Sequence, residues 1–212
     1  EASRLLEHQV RFRLTGLERS RVGARLALID LLNREPEKAK EALKLSEGDE
    51  LPQELELDRR YLTARALGEM KQVDAALATL TGDVSYEAEL LRLQVFWSNE
   101  RWADVSSTIR RIIPQQHADE LSPKLADLVL RWAVALTMQN DVEGLIALRE
   151  RFGEAVAKTS YAEAFKAIAG VDMGEVPDFK ALVDKTGDLK DFQSFMASYR
   201  DKVHSNALST IN

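Results

Sequence analysis

Cysteine is absent from the 212 residues of this chain, which excludes disulfides and thiolate metal sites. Glycine (10 residues), proline (5) and aromatic residues (7%) are scarce, and no long alternation of Val, Ile and Thr occurs, so a large β-sheet is not expected. Uncharged apolar runs fall far short of the roughly 20 residues that span a bilayer. We therefore expect no membrane insertion in this segment.

Motifs for chemistry are also missing from the sequence. It holds no glycine-rich phosphate loop, nucleophile elbow or dinucleotide fingerprint. His8, His117 and His204 stand far apart, and none has a second histidine at metal-ligand spacing. We therefore predict no catalytic residue, no metal site and no cofactor, and hence a protein that is not an enzyme.

What is abundant is the set of strong helix formers Ala, Leu, Glu, Lys and Arg. Apolar residues recur at three- and four-residue steps in a series of segments, which is the pattern of helices with one buried face. The spacing predicts an all-α protein with helices over residues 2–14, 21–33, 36–45, 55–70, 73–80, 87–98, 102–113, 124–138, 142–152 and 161–169. Gly16 is expected just past the end of the first of these helices.

Eight of these segments form four helix–turn–helix units. Their second helices begin at Pro36, Val73, Trp102 and Val142, a spacing of 37, 29 and 40 residues. Such unequal spacing indicates a degenerate helical repeat rather than a strict one, in which neighbouring hairpins stack to bury a continuous core. Trp102 and Trp132 lie on apolar faces and are expected in that core.

The runs EMKQVDAALATL, NERWADVSSTI and MQNDVEGLIAL resemble the turn and second helix of a tetratricopeptide repeat. The pair Val73/Ala76 follows that family's apolar-then-small pattern, and Trp102/Val105 follows it loosely. Leu145 departs from the pattern at the small position. The resemblance covers about residues 20–152. It implies an α-solenoid, a right-handed superhelix of stacked hairpins whose first helices line a concave surface.

The resemblance implies no particular ligand, and we hypothesise that a groove on the concave surface holds a partner protein or peptide. Aromatic, arginine and amide side chains are typical of such grooves. In the register of the repeat, the groove residues are Asp58, Tyr61, Arg65, Gln94, Trp97 and Thr137. The leading functional hypothesis is therefore a non-catalytic interaction scaffold.

The expected organisation is a repeat array over residues 1–152, whose first helix belongs to a preceding, truncated repeat, and a helical cap with a short polar tail over 153–212. In the cap, Leu189, Phe192, Tyr199 and Val203 form an apolar stripe on a last helix. This helix would either cover the end of the array or dock on a partner. Because the chain opens within a helix, we expect a fragment of a larger protein, and its cellular compartment stays open.

Charge offers a second functional hypothesis. Residues 1–34 carry seven arginines against four acids, a balance of +3, so the remainder of this chain of net charge -6 carries -9. A basic N-terminal end could contact nucleic acid, although an overall acidic protein argues against a dedicated nucleic-acid binder. The pattern is also compatible with a structural spacer within a larger protein and with self-association through an exposed end of the array.

Overall fold

A computed structural model describes residues 2–113 and 121–169 of the chain. Within these two stretches all regular structure is helical and no strand occurs, which confirms the predicted all-α class. The helices are α1 (Ala2–Phe12), α2 (Gly16–Leu32), α3 (Pro36–Leu45), α4 (Gln53–Glu69), α5 (Val73–Thr79), α6 (Tyr86–Ser98), α7 (Trp102–Ile112), α8 (Pro123–Met138), α9 (Val142–Val156) and α10 (Ala162–Ala169).

The start of α2 differs from the prediction. The helix begins at Gly16 rather than near residue 21, and Gly16 is its first residue instead of the residue past the end of α1. The extended N-cap Thr15 and the acidic Glu18 in the first turn suit a helix start. The apolar stripe begins later than the helix because residues 16–18 are exposed, whereas Ser20 is buried and donates to Ser46 O.

The end of α9 also lies beyond its predicted position. The helix continues past residue 152 to Val156, which is fully buried. α10 then packs against α8 and α9 within one compact unit that spans residues 1–170. The predicted division after residue 152 therefore falls inside a helix. The expected loop and helices from residue 171 onward lie outside the described residues.

The turns that join α2 to α3, α4 to α5, α6 to α7 and α8 to α9 share one geometry. Each places a non-glycine residue in the left-handed region: Arg34 (φ 62°), Lys71 (64°), Glu100 (57°) and Asn140 (58°). The next amide donates to the carbonyl five residues back, at 2.8 to 3.0 Å in all four turns. This bond is the signature of a Schellman helix ending. The following helix begins two residues after the left-handed residue each time.

A buried position repeats with the same turns. The fourth residue of each following helix is Ala39, Ala76, Val105 or Leu145, and none is more than 5% exposed. Successive helices pack on each other in chain order from α1 to α9. α2 also packs on α4, and α4 on α6, so the first three hairpins pack on one another through their first helices, whereas the fourth packs on the third through α7 and α8.

A buried arginine holds the junction of α2, α3 and α4. Arg59 is 8% exposed. Its guanidinium donates to Ser20 O at 2.8 Å, to Ser46 Oγ at 3.0 Å and to Leu43 O at 2.6 Å. Gly23 lies against the same serine, since a Cβ at this position would stand 1.8 Å from Ser46 Oγ. The close approach of α2 to the end of α3 therefore requires glycine at position 23.

Candidate functional site

The predicted groove residues lie on three helices. α4 carries Asp58, Tyr61 and Arg65, α6 carries Gln94 and Trp97, and α8 carries Thr137. α4 and α6 pack directly against each other, so the first two groups lie on adjoining helices. Whether a groove joins them to Thr137 stays a prediction, and their contacts divide them among separate local networks.

Tyr61 belongs to a network with the loop between α5 and α6. Its hydroxyl donates to Asp83 Oδ2 at 2.9 Å and lies 3.0 Å from Ser85 Oγ. Arg60 Nη2 lies 2.6 Å from the same Asp83 oxygen. Hydrogen bonds from the side chain and amide of Ser85, followed by the effects of Tyr61 and Arg60, lower the pKa of Asp83 to about 2. The Tyr61 hydroxyl therefore holds the residues that precede α6 and already has hydrogen-bond partners within the chain.

The other polar members of the predicted set are also partly committed. Arg65 is 7% exposed, and its Nε donates to Glu69 Oε1 at 3.2 Å one turn further along α4. The Thr137 hydroxyl donates to Ala133 O at 2.9 Å within α8. Asp58 is exposed, and Gln94 is half-buried. Of the two charged residues among the six, Asp58 is exposed and accessible to a partner, whereas Arg65 is buried.

Trp97 is the centre of the most distinctive cluster, which comprises Trp97, Trp102, Asp127 and Arg131 and which we name the Trp97 cluster. The Trp97 ring is half-buried and meets Trp102 edge-on, with ring centroids 5.4 Å apart and planes at 89°. The Arg131 guanidinium lies 5.8 Å from the Trp97 ring centroid. Arg131 Nε also donates to Asp127 Oδ2 at 3.0 Å. The cluster thereby connects α6, α7 and α8.

Burial controls the electrostatics of this cluster. The Arg131 and Asp127 side chains are 10% and 19% exposed. Burial raises the pKa of Asp127, while the charge and hydrogen bond of Arg131 act in the opposite direction. Burial likewise lowers the pKa of Arg131. Burial raises the pKa of Tyr161, the residue before α10, and the charge of Asp127 acts in the same direction while that of Arg131 opposes it.

Asp127 and Arg131 were not among the residues predicted from the sequence. A usable signal was present, since they are the only two charged residues between Leu125 and Met138 in an otherwise apolar helix. Charges that interrupt a buried stripe are normally paired, and four residues is the spacing of a helical ion pair. Of the two tryptophans predicted for the core, Trp132 is 7% exposed, as expected. Trp102 is instead half-buried, and its ring contacts that of Trp97, which is also half-buried.

Several arginines of the basic N-terminal end are engaged within the chain. Arg11 Nη2 lies 2.7 Å from Glu41 Oε1, and Arg21 Nη1 lies 2.8 Å from Glu18 Oε1. Arg19 Nε donates to Val10 O at 3.1 Å. These contacts reduce the positive charge available for phosphate groups. Among the described residues, no cluster of His, Asp and Glu side chains has the composition of a metal site.

The described structure defines an all-α protein whose helices are paired across repeated short turns. No helix in its described stretches has the length and apolar character to cross a membrane. Comparison with protein-family models, curated proteins and solved structures found no match to this chain. Function therefore has to be inferred from the residues themselves.

Proposed function

We propose that this chain is a non-catalytic interaction scaffold, a helical-repeat array of the tetratricopeptide type that holds a partner protein or peptide. The four equivalent turns support the repeat, since one hydrogen-bond pattern recurs at residues 34, 71, 100 and 140. The packing of α2 on α4 and of α4 on α6 supports stacking of the hairpins into a solenoid. In this proposal the first helices face the partner.

The observation that carries the binding hypothesis is the Trp97 cluster. A half-buried tryptophan offers a large apolar surface at low entropic cost, which is why tryptophan is enriched among binding hot spots. Arg131 and Trp102 both contact the Trp97 ring, and these contacts restrict its orientation before a partner binds. Preorganisation of this kind lowers the entropic cost of association.

The polar groups around the cluster suit binding better than proton transfer. Arg131 is paired with Asp127, Arg65 with Glu69, and the Tyr61 hydroxyl with Asp83. Side chains already held in ion pairs and hydrogen bonds give a surface of fixed shape and charge. We therefore assign recognition to this face, with Trp97 as the apolar anchor and Asp58 as the exposed polar contact on α4.

The test is affinity capture from source-cell lysate, with the 212-residue chain as bait and mass spectrometry as the readout. The bait is compared with Trp97→Ala, with Asp58→Lys and with Leu32→Ala, a matched control whose parent side chain is 50% exposed on α2. Circular dichroism melts establish that all four proteins are folded. We expect a specific partner that the control retains and the first two variants lose. Equal capture by folded Trp97→Ala and Asp58→Lys would exclude this face.

A further inference from the structure

α1 has two different faces. Its buried face packs on α2 and α3 through Val10, which is 1% exposed, and through the half-buried Leu6. On the opposite face Leu5 and Phe12 are 62% and 73% exposed. Large apolar side chains exposed singly are ordinary, but these two stand seven residues apart on one helix and therefore lie in a single line.

His8 continues this line between the two apolar residues. Its ring contacts that of Phe12 in a tilted arrangement, with centroids 5.2 Å apart and planes at 50°. Positions 5, 8 and 12 follow the three-then-four spacing of a helix face that meets another helix. We name Leu5, His8 and Phe12 the α1 stripe.

The surroundings of the α1 stripe are basic. Arg4 on α1 and Arg13, the residue after α1 whose amide still donates to Gln9 O at 2.9 Å, are exposed. By the 100° turn per residue of a helix, they flank the stripe on opposite sides. Glu7 is the acidic residue between positions 3 and 13, and its carboxylate is paired with Arg11 at 2.9 Å. An apolar line between two exposed arginine side chains is complementary to an apolar line between two acidic borders.

We infer that the α1 stripe is a docking surface for an amphipathic helix whose apolar face is bordered by acidic residues. A helix is the expected occupant because the stripe is straight and has helical spacing, so its side chains can pack into a groove between the ridges of a second helix. Acidic borders follow from Arg4 and Arg13. This surface is separate from the Trp97 cluster, and the inference does not depend on the proposed function.

The experiment uses two synthetic peptides of about 20 residues, long enough for a stable helix. Both carry the same leucine stripe, bordered by Glu in one peptide and by Lys in the other. Binding of each to the 212-residue chain is measured by fluorescence anisotropy at low and moderate salt. The variants are Leu5→Ser/Phe12→Ser, the charge reversal Arg4→Glu/Arg13→Glu, and the exposed-leucine control Leu32→Ser.

We expect the Glu-bordered peptide to bind at least about tenfold more tightly than the Lys-bordered one, and salt to weaken this preference. The serine double variant should lose binding, the control should keep it, and the charge reversal should invert the preference. Equal binding of both peptides, or binding that survives Leu5→Ser/Phe12→Ser, would overturn the inference. So would concentration-dependent self-association that the serine variant abolishes, because the occupant would then be a second copy.

Discussion

Substitution of Gly23 by alanine tests how closely α2 approaches the end of α3. The new Cβ would lie 1.8 Å from Ser46 Oγ, 2.2 Å from Ser46 Cβ and 3.3 Å from Ala42 O. Ser46 cannot rotate away cheaply, because its hydroxyl donates to Ala42 O at 2.7 Å and accepts from Arg59 at 3.0 Å. The substitution must therefore move helix backbone or break the arginine junction.

Two opposing contributions determine how much Gly23→Ala changes the free energy of unfolding. Alanine in a helix interior is more favourable than glycine by about 1 kcal/mol. Overpacking a tight contact costs about 1–3 kcal/mol or more, and the overlap at Ser46 lies at the upper end of that range. We expect Gly23→Ala to lower the free energy of unfolding by about 2 kcal/mol. For a domain of this size that loss corresponds to a melting temperature lower by about 4–8 °C.

Gly153→Ala is the matched control. Gly153 also lies inside a helix, α9, but a Cβ there would meet Arg149 Cγ at 3.7 Å, an ordinary van der Waals distance. Here only the helix-propensity contribution remains, so the variant should be about 0.5–1 kcal/mol more stable than the parent. Both variants are measured by urea and thermal denaturation followed by circular dichroism.

A double-mutant cycle identifies the obstructing atoms. Ser46→Gly removes both Cβ and Oγ and should cost about 1–2 kcal/mol through its lost hydrogen bonds. In the Gly23→Ala/Ser46→Gly protein the two losses should not add, and the coupling should be about 2 kcal/mol in favour of the pair. Ser46→Ala should give little rescue because Cβ remains. If Gly23→Ala were as stable as Gly153→Ala, the described approach of α2 to α3 would be wrong.

Three further predictions concern charged residues. Asp83→Asn should lower the free energy of unfolding by about 1 kcal/mol at neutral pH, after screening by solvent. The folded-state pKa of Asp83, about 2, lies below its usual 3.8, so the parent protein should lose this contribution as the pH falls from about 4 to 2, whereas the variant should not. Urea titrations across that pH range measure the difference. Arg59→Met should destabilise by about 3 kcal/mol or more in denaturant titration, since three acceptors at the junction lose their donor; equal stability would show that these acceptors need no donor. Glu100→Gly should stabilise by about 1 kcal/mol because its φ of 57° disfavours a side chain; an unchanged melting temperature would contradict that strain.

The helices themselves could be predicted because apolar periodicity is a local signal. Pro36, Val73, Trp102 and Val142 were each expected to open a helix, and each is the first residue of one. Turn residues and helix formers act within a few positions, so their effect can be read without tertiary information. The early start of α2 was missed because its exposed first turn carries no apolar periodicity.

The buried charges could not be placed in the same way. Arg59, Arg65 and Arg131 resemble surface arginines in sequence, and their burial depends on carbonyls and carboxylates contributed by the folded chain. For the predicted groove, the helices that carry each residue were identified correctly from the pattern. The pairing of Tyr61 with Asp83 and the position of Arg131 over Trp97 depend instead on how neighbouring hairpins pack.

The four left-handed turns have a consequence for how the protein folds. Each closing bond joins residues only five apart, and each turn brings together two helices that are neighbours in the chain. Contacts between residues so close in the sequence form quickly, because little chain entropy is lost when a short loop closes. Each hairpin can therefore serve as an independent nucleus, and the slower steps should be those that join hairpins. Among these is the docking of α4 onto α2 and α3 through Arg59, whose acceptors lie 13 to 39 residues away.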